Sequence, residues 1–297
     1  MEIEEEMTEK ILVRIGKEES GKGEVADVGD EEKGSGEEGR ARGLGAVEIG
    51  ARDIELLEWV SDHYFSTKAV LLERFFAEAK GLTLGKKTGQ YGSRRITKFE
   101  REGYLRPSRY RVMGQVPLLL SGLGYKLLHG QGVATSHHHV PDIDIANFDH
   151  DVWVQRLRTR FEIGYGAERW LTDRVLQRIQ AEKQLPYVPD ARFYVGDQAW
   201  NLEVERTPKR KDRLKEILEA RAAGSKKTKV LYVLDRKFSD YYREKMAVTE
   251  NPGCFYIAHF DDLETVFSVG DGVAQGAIRD VLTNRVWVGV GHADMVA

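Results

Sequence analysis

The stretch from Pro189 to Glu205, PDARFYVGDQAWNLEVE, leaves the chain little choice of fold. Phe193 and Val195 precede a Gly196-Asp197 pair, and Trp200, Leu202 and Val204 follow it at every second position. Alternation of period two on both sides of a Gly-Asp pair predicts a β-hairpin with one buried face. A lone hairpin is only marginally stable in water, so this one needs a larger sheet. Its flanks provide one. KVLYVLD (229–235) and CFYIAHFDDL (254–263) read as strands. TPKRKDRLKEILEARAAG (207–224) reads as a helix with Leu214, Ile217 and Leu218 on one face, and FSDYYREKMAV (238–248) as another helix. HDVWVQRLRTRFE (150–162) reads as a helix or strand, and AERWLTDRVLQRIQAEK (167–183) as a helix. Strands interleaved with helices predict an α/β domain over residues 150–297.

The N-terminal part follows a different pattern. Residues 1–50 hold 15 acidic and 7 basic side chains, a net of −8, and this leaves the rest of the chain at +5 although the whole carries −3. Gly, Glu and Lys dominate residues 1–48 and aromatics are absent, so this stretch is expected to be a disordered acidic tail. Order is expected from residue 49. In DIELLEWVSDHYF, Ile54, Leu57, Val60 and Tyr64 recur at helical spacing; STKAVLLERFF gives a second helix capped by Ser66 or Thr67. GLTLGKKTGQ (81–90) reads as a Gly-rich turn. YGSRRITKFEREGYL reads as a third helix with Ile96 and Phe99 inward and Gly103 at its end. LRPSRYRVMGQVPLLL then offers two strands, and 121–128 a closing helix.

Helix, helix, turn, basic helix and strand pair is the order of a winged helix-turn-helix, expected over residues 49–130, with 131–149 as a linker. The charge agrees: Lys80 to Arg111 holds 10 basic and 2 acidic residues. Gln90, Tyr91, Ser93, Arg94, Arg95 and Lys98 are the candidates for the groove of double-stranded DNA or its phosphates, and Arg106, Arg109 and Arg111 for phosphate contacts from the wing. An ordinary solvated helix face and a protein-binding winged helix are the competing readings. Arg206 to Lys229 repeats the basic signature, with 10 basic and 3 acidic residues.

A second constellation lies in the hairpin. Asp190 opens one strand, and Glu203 and Glu205 share a face of the other. Carboxylates in such a patch are the usual ligands of Mg²⁺ or Mn²⁺, and Lys209 stands near enough to contact phosphate or polarise a water. Glu168 is a further candidate carboxylate. The blander alternative is a turn cap, an exposed strand face and a solvated helix. His137-His138-His139 reads as a solvated run, and Cys254 as a buried strand thiol.

Pro-Asp, a hairpin and then an acidic residue of an acidic-x-Lys triplet resembles the PD-(D/E)XK nuclease superfamily over roughly residues 150–270. The resemblance implies Asp190 and Glu203 as metal ligands, with Glu205 standing where that superfamily usually has Lys and Lys209 as a nearby substitute. The two halves together (Leu120, Gly124, Tyr125, Leu127 and Leu128; His150, Asp151 and Leu157; Trp170; Pro189 to Ala191; Leu202 to Thr207 with Lys209) resemble the replication-relaxation family of plasmids and integrative elements. That resemblance implies a winged helix joined to a nuclease-like domain and a role on mobile DNA. Three readings stay open: a DNA-binding factor of a mobile element, an active Mg²⁺-dependent endonuclease, and a repressor with a dimerising C-terminal domain. Partners would be duplex DNA, a second copy of the chain, or a protein of the same element. One cysteine and no apolar stretch near the ~18 residues of a membrane span lead to a cytoplasmic, non-membrane expectation.

Overall fold

A computed structural model describes residues 48–77, 85–133, 135, 142–183, 187–223, 228–269 and 275–282. The acidic tail up to residue 47 and the His137–His139 run lie outside the described residues. The chain is α+β, with a three-stranded and a seven-stranded sheet.

The first group of elements comprises α1 (Ala51–Asp62), β1 (Ser66–Thr67), α2 (Lys68–Phe76), α3 (Lys86–Arg101), β2 (Leu105–Pro107), β3 (Pro117–Leu120) and α4 (Gly122–Gly130). Thr67 caps α2 by accepting the Val70 N–H at 3.2 Å, and Ser121 caps α4 by accepting that of Gly124 at 3.0 Å. Gly103 follows α3 with φ +79°, the left-handed turn a helix end favours in glycine. The strands run in the order β1-β3-β2, all antiparallel. α3 begins at Lys86, so Lys86 to Gln90 are helical where a turn was expected. Its N-terminus is set by extended Gly85, whose carbonyl accepts the Thr88 hydroxyl at 2.9 Å. Leu56, Leu57, Val60, Val70, Leu71, Ile96, Phe99, Leu119 and Leu128 are buried in one core.

The second group begins with α5 (Phe148–Tyr165). It continues with β4 (Glu168–Thr172), α6 (Asp173–Lys183), β5 (Ala191–Val195), β6 (Gln198–Glu205), α7 (Lys211–Ala223), β7 (Lys229–Leu234) and α8 (Ser239–Ala247). It ends with β8 (Phe255–His259), β9 (Asp262–Ser268), β10 (Gln275–Ala277) and α9 (Ile278–Leu282). The sheet order is β10-β9-β8-β7-β6-β5-β4. β6, β7 and β8 are parallel neighbours, and the remaining pairs are antiparallel. The hairpin lies where its alternation put it: Phe193 pairs Trp200, Ala191 pairs Leu202, and Gly196 turns the chain with φ +56°.

Trp200, Leu202 and Val204 pack with α5 and α9 on one face of the sheet. Val230, Tyr232 and Leu234 pack with α7 and α8 on the other. Glu168 and Trp170 lie on strand β4, not on the expected helix. Gly166 ends α5 in the left-handed region, and the chain then pairs antiparallel with β5 across a register shift at Glu168/Leu171. CFYIAHFDDL divides into β8 and the start of β9.

α5 joins the two cores. Phe148 and Val152 pack with the first, and Val154, Leu157, Phe161 and Tyr165 with the second. At the junction, fully buried Gln155 accepts hydrogen bonds from Ser66 Oγ at 2.7 Å and Trp59 Nε1 at 3.3 Å, and donates to the Phe65 carbonyl at 3.0 Å. A buried polar group left unpaired costs roughly 1–3 kcal/mol. Gln155→Leu, which orphans several partners at once, is therefore expected to lower stability by about 3 kcal/mol in urea unfolding. A decrease under about 0.5 kcal/mol, the range of a neutral surface change, would contradict this role for the amide.

Candidate functional site

Two surfaces concentrate chemistry. The first is α3. Gly92, Ile96 and Phe99 form its inner stripe. A Cβ on Gly92 would come within 2.5 Å of the Phe76 ring, so only glycine lets α3 lie this close to α2. Gln90, Tyr91, Arg94, Thr97 and Arg101 are exposed on its other side, with Ser93 and Lys98 half-buried beside them. Tyr91 is 60% exposed, and its ring meets that of Phe76 edge-on at 6.0 Å. Ser93, Arg94, Thr97, Lys98 and Arg101 line a shallow concavity of about 360 Å³. A second, of about 320 Å³, is lined by Arg52, Phe75, Phe76, Ala77, Lys87, Thr88 and Tyr91.

Arg95 departs from its expected role. Its guanidinium turns inward, donates Nε to Asp53 Oδ1 at 2.9 Å, pairs with Asp53 Oδ2 through NH2, and lies 4.9 Å over the Phe99 ring. Position 95 lies in the same helical stripe as 92, 96 and 99, so the cation braces α3 against α1. On the β2–β3 hairpin, Arg109 pairs with Asp142 at 3.0 Å yet keeps 72% of its side chain exposed. Exposed Arg111 donates to the Gly114 carbonyl at 3.3 Å, and half-buried Arg106 lies on β2.

The second surface is the carboxylate cluster. The Asp190 N–H donates to the Leu202 carbonyl at 3.1 Å and Asp190 Oδ2 accepts the Val204 N–H at 2.7 Å, so the hairpin itself sets this side chain. Glu203 and Glu205 are buried on β6. Each carboxylate has a cation. His150 Nε2 lies 3.1 Å from Asp190 Oδ2 while its Nδ1 lies 3.0 Å from Asp151 Oδ1. Arg221 NH2 donates to Glu203 Oε1, and Lys209 Nζ to Glu205 Oε1.

Burial raises the Glu203 carboxyl to about 8; Asp190 and Glu205 push the same way, and Arg221 opposes them. Burial also raises Glu205 against the pull of Lys209. Burial works to lower His150, but its hydrogen bonds to Asp151 and Asp190, and their charges, outweigh it and lift the imidazole to about 10. Tyr232, fully buried and paired in register with Glu203, has no hydrogen-bond partner for its hydroxyl among the described residues.

The residues present do not fit a divalent cation as they stand. Among the described residues no group of three His, Cys, Asp or Glu side chains is placed to hold a metal ion. The three carboxylate side chains expected to bind one are each engaged by an internal cation. Glu168 is exposed on the outer strand β4 and is no member of the cluster. Five of the ten basic residues of the second run are engaged in ion pairs: Arg206 with Asp149, Lys209 with Glu205, Arg213 with Glu216, Lys215 with Glu219 and Arg221 with Glu203.

Arg221 is a member that the sequence left unmarked, and His150 stood out there only as part of a motif, without its role at the carboxylates. Arg221 continues the inward stripe of Leu214, Ile217 and Leu218, so its helical phase placed it against the sheet. The pairing of His150 could not be read from the sequence, because its partner Asp190 is forty residues away, just before β5. No protein-family model, no curated protein and no solved structure matches this chain.

The raised imidazole has a consequence for stability. A histidine held above its ordinary value of 6.5 contributes fully below pH 6.5 and loses that contribution as pH rises through about 10. The difference in unfolding free energy between the wild type and His150→Gln should therefore stay constant below pH 6.5 and shrink between 6.5 and 10. A difference that widens with pH in urea titrations would contradict the bridge.

Proposed function

We propose that this chain is a double-stranded DNA-binding protein of a mobile genetic element, acting through a winged helix-turn-helix in which α3 is the recognition helix. The observation that carries the reading is the outward face of α3. Arg94, Thr97 and Arg101 are exposed on it, Lys98 lies beside them, and Ile96 and Phe99 turn inward. Helix α1, helix α2 and the β2–β3 hairpin stand around α3 in the order that such a module uses. Arg109 and Arg111 on the hairpin keep their charges at the surface, where phosphates are met. The second group of elements is read as a nuclease-like scaffold. The mobile-element setting rests on the resemblance of the sequence motifs to the replication-relaxation family. Residues 49–130, a connection, and an α/β unit from about 150 are the proposed division of the chain, with α5 rooted in both cores.

Two variants separate DNA contact from structural support. Arg94→Ala with Lys98→Ala should weaken duplex binding and reduce the slope of log affinity against log salt by about 2, near 0.9 for each phosphate that the protein no longer neutralises. Arg95→Ala should act through stability, costing about 2 kcal/mol because it orphans a charged hydrogen-bond partner. Fluorescence anisotropy across a salt series reads the first effect, and urea unfolding the second. An unchanged salt slope in a folded Arg94→Ala, Lys98→Ala protein would remove α3 from the interface.

A further inference from the structure

The carboxylate cluster on β5 and β6 is closed by cations from three separate elements. His150 reaches it from the first turn of α5, Lys209 from the segment before α7, and Arg221 from the last turns of α7. These are not loose surface pairs. The side chains of Arg221 and Glu203 are 7% and 1% exposed, and that of Glu205 is 6% exposed. Arg221 is also stacked 4.1 Å from the Tyr187 ring centroid, which fixes its guanidinium plane. His150 is held at both ring nitrogens, so neither is free to turn away.

A divalent ion such as Mg²⁺ or Mn²⁺ needs carboxylate oxygens free at about 2.0–2.2 Å, in near-octahedral array with its remaining waters. Here Asp190 Oδ2 already accepts from both His150 and the Val204 N–H. Glu203 and Glu205 each give an oxygen to a cation. A metal ion would have to enter beside three positive groups. Moving a buried cation away without replacing it leaves an unpaired buried carboxylate, which is the costly half of a broken internal ion pair.

We propose that Lys209, Arg221 and His150 stand in for the metal ion, making this a metal-independent carboxylate centre that holds the hairpin to α5 and α7. The inference goes beyond the DNA-binding reading and is independent of α3. The same side chains that would mark a metal site in the sequence are then packing partners. The cluster clamps the sheet from both sides: α5 lies on the face with Trp200 and Leu202, and α7 lies on the face with Tyr232.

The test uses the full chain and Mn²⁺ alone as the probe, followed by electron paramagnetic resonance and by the melting temperature. Ions held by the acidic residues of the first fifty positions are subtracted by comparing each protein with its own Asp190→Asn form. For the wild type, Mn²⁺ binding and the Mn²⁺-induced shift in melting temperature should equal those of its Asp190→Asn form, whatever that substitution does to stability without the ion. Lys209→Gln combined with His150→Asn removes the two more accessible cations and leaves buried Arg221 in place. This variant should bind Mn²⁺ at least tenfold more tightly than the wild type and melt higher in its presence, and Asp190→Asn should abolish both gains. Binding of Mn²⁺ by the wild type that Asp190→Asn removes would overturn the proposal. So would absence of any gain in a double variant whose circular dichroism is native.

Discussion

The side-chain amide of Gln155 is the point on which the arrangement turns. It sits fully buried in α5, between the two cores, and answers groups from α1, β1 and the residue before β1. A group so placed cannot be satisfied by water, so its partners must stay in register with it. Other bonds follow the same seam. Arg156 pairs with Glu73 of α2 at 3.2 Å, Arg158 with Asp62 of α1 at 3.2 Å, and Arg174 of α6 donates to the Ser61 carbonyl at 2.9 Å. The helix that begins beneath the first core carries His150 at its start and lies along the sheet that holds Asp190. Through α5, the position of the three-helix group and the closure of the carboxylate cluster become parts of one packing problem.

Charge is used differently on the two sides of that seam. On α3, Arg95 and Arg101 pair with Asp53 and Glu102, while exposed Arg94 and half-buried Lys98 extend from a helix whose inner stripe is Gly92, Ile96 and Phe99. In the second group of elements five of the seven basic residues of the Arg206 to Arg221 stretch pair with a carboxylate within the same unit. Two stretches of almost equal net charge in the sequence therefore differ in what they leave for a partner. An exposed ion pair contributes little to stability, but it cancels the local field that would attract a phosphate backbone.

Much of the fold was legible from periodicity. Phe193, Trp200 and Leu202 alternate with polar residues about Gly196, and the register of β5 with β6 follows from that alternation. Leu214, Ile217 and Leu218 marked the buried face of α7. The failures have physical causes. Lys86 to Gln90 looked like a turn because Gly81, Gly85 and Gly89 lie before and within them, yet they form the first turn of α3 behind Gly85 at its N-cap. Glu168 and Trp170 sit in an apolar-polar pattern that suits a helix, but strand pairing with β5 outweighs that local preference. For the site, residue types were readable and their partners were not. Arg94 and Arg95 are adjacent in sequence, and only the phase of the helix sends one outward and the other onto Asp53. Asp190, Glu203 and Glu205 lie on or beside the β5–β6 hairpin, and the cations that engage Asp190 and Glu203 come from positions distant in sequence.

The claim that α3 carries the DNA contact is tested most directly by photocrosslinking. A benzophenone side chain placed at Thr97, exposed on the outer face of α3, should crosslink to duplex DNA. The same group at Val248, 80% exposed just after α8, serves as the comparison and should not. Crosslinking at Thr97 alone is the predicted result. Crosslinking at Val248 with none at Thr97 would place the duplex on the second group of elements and contradict the account.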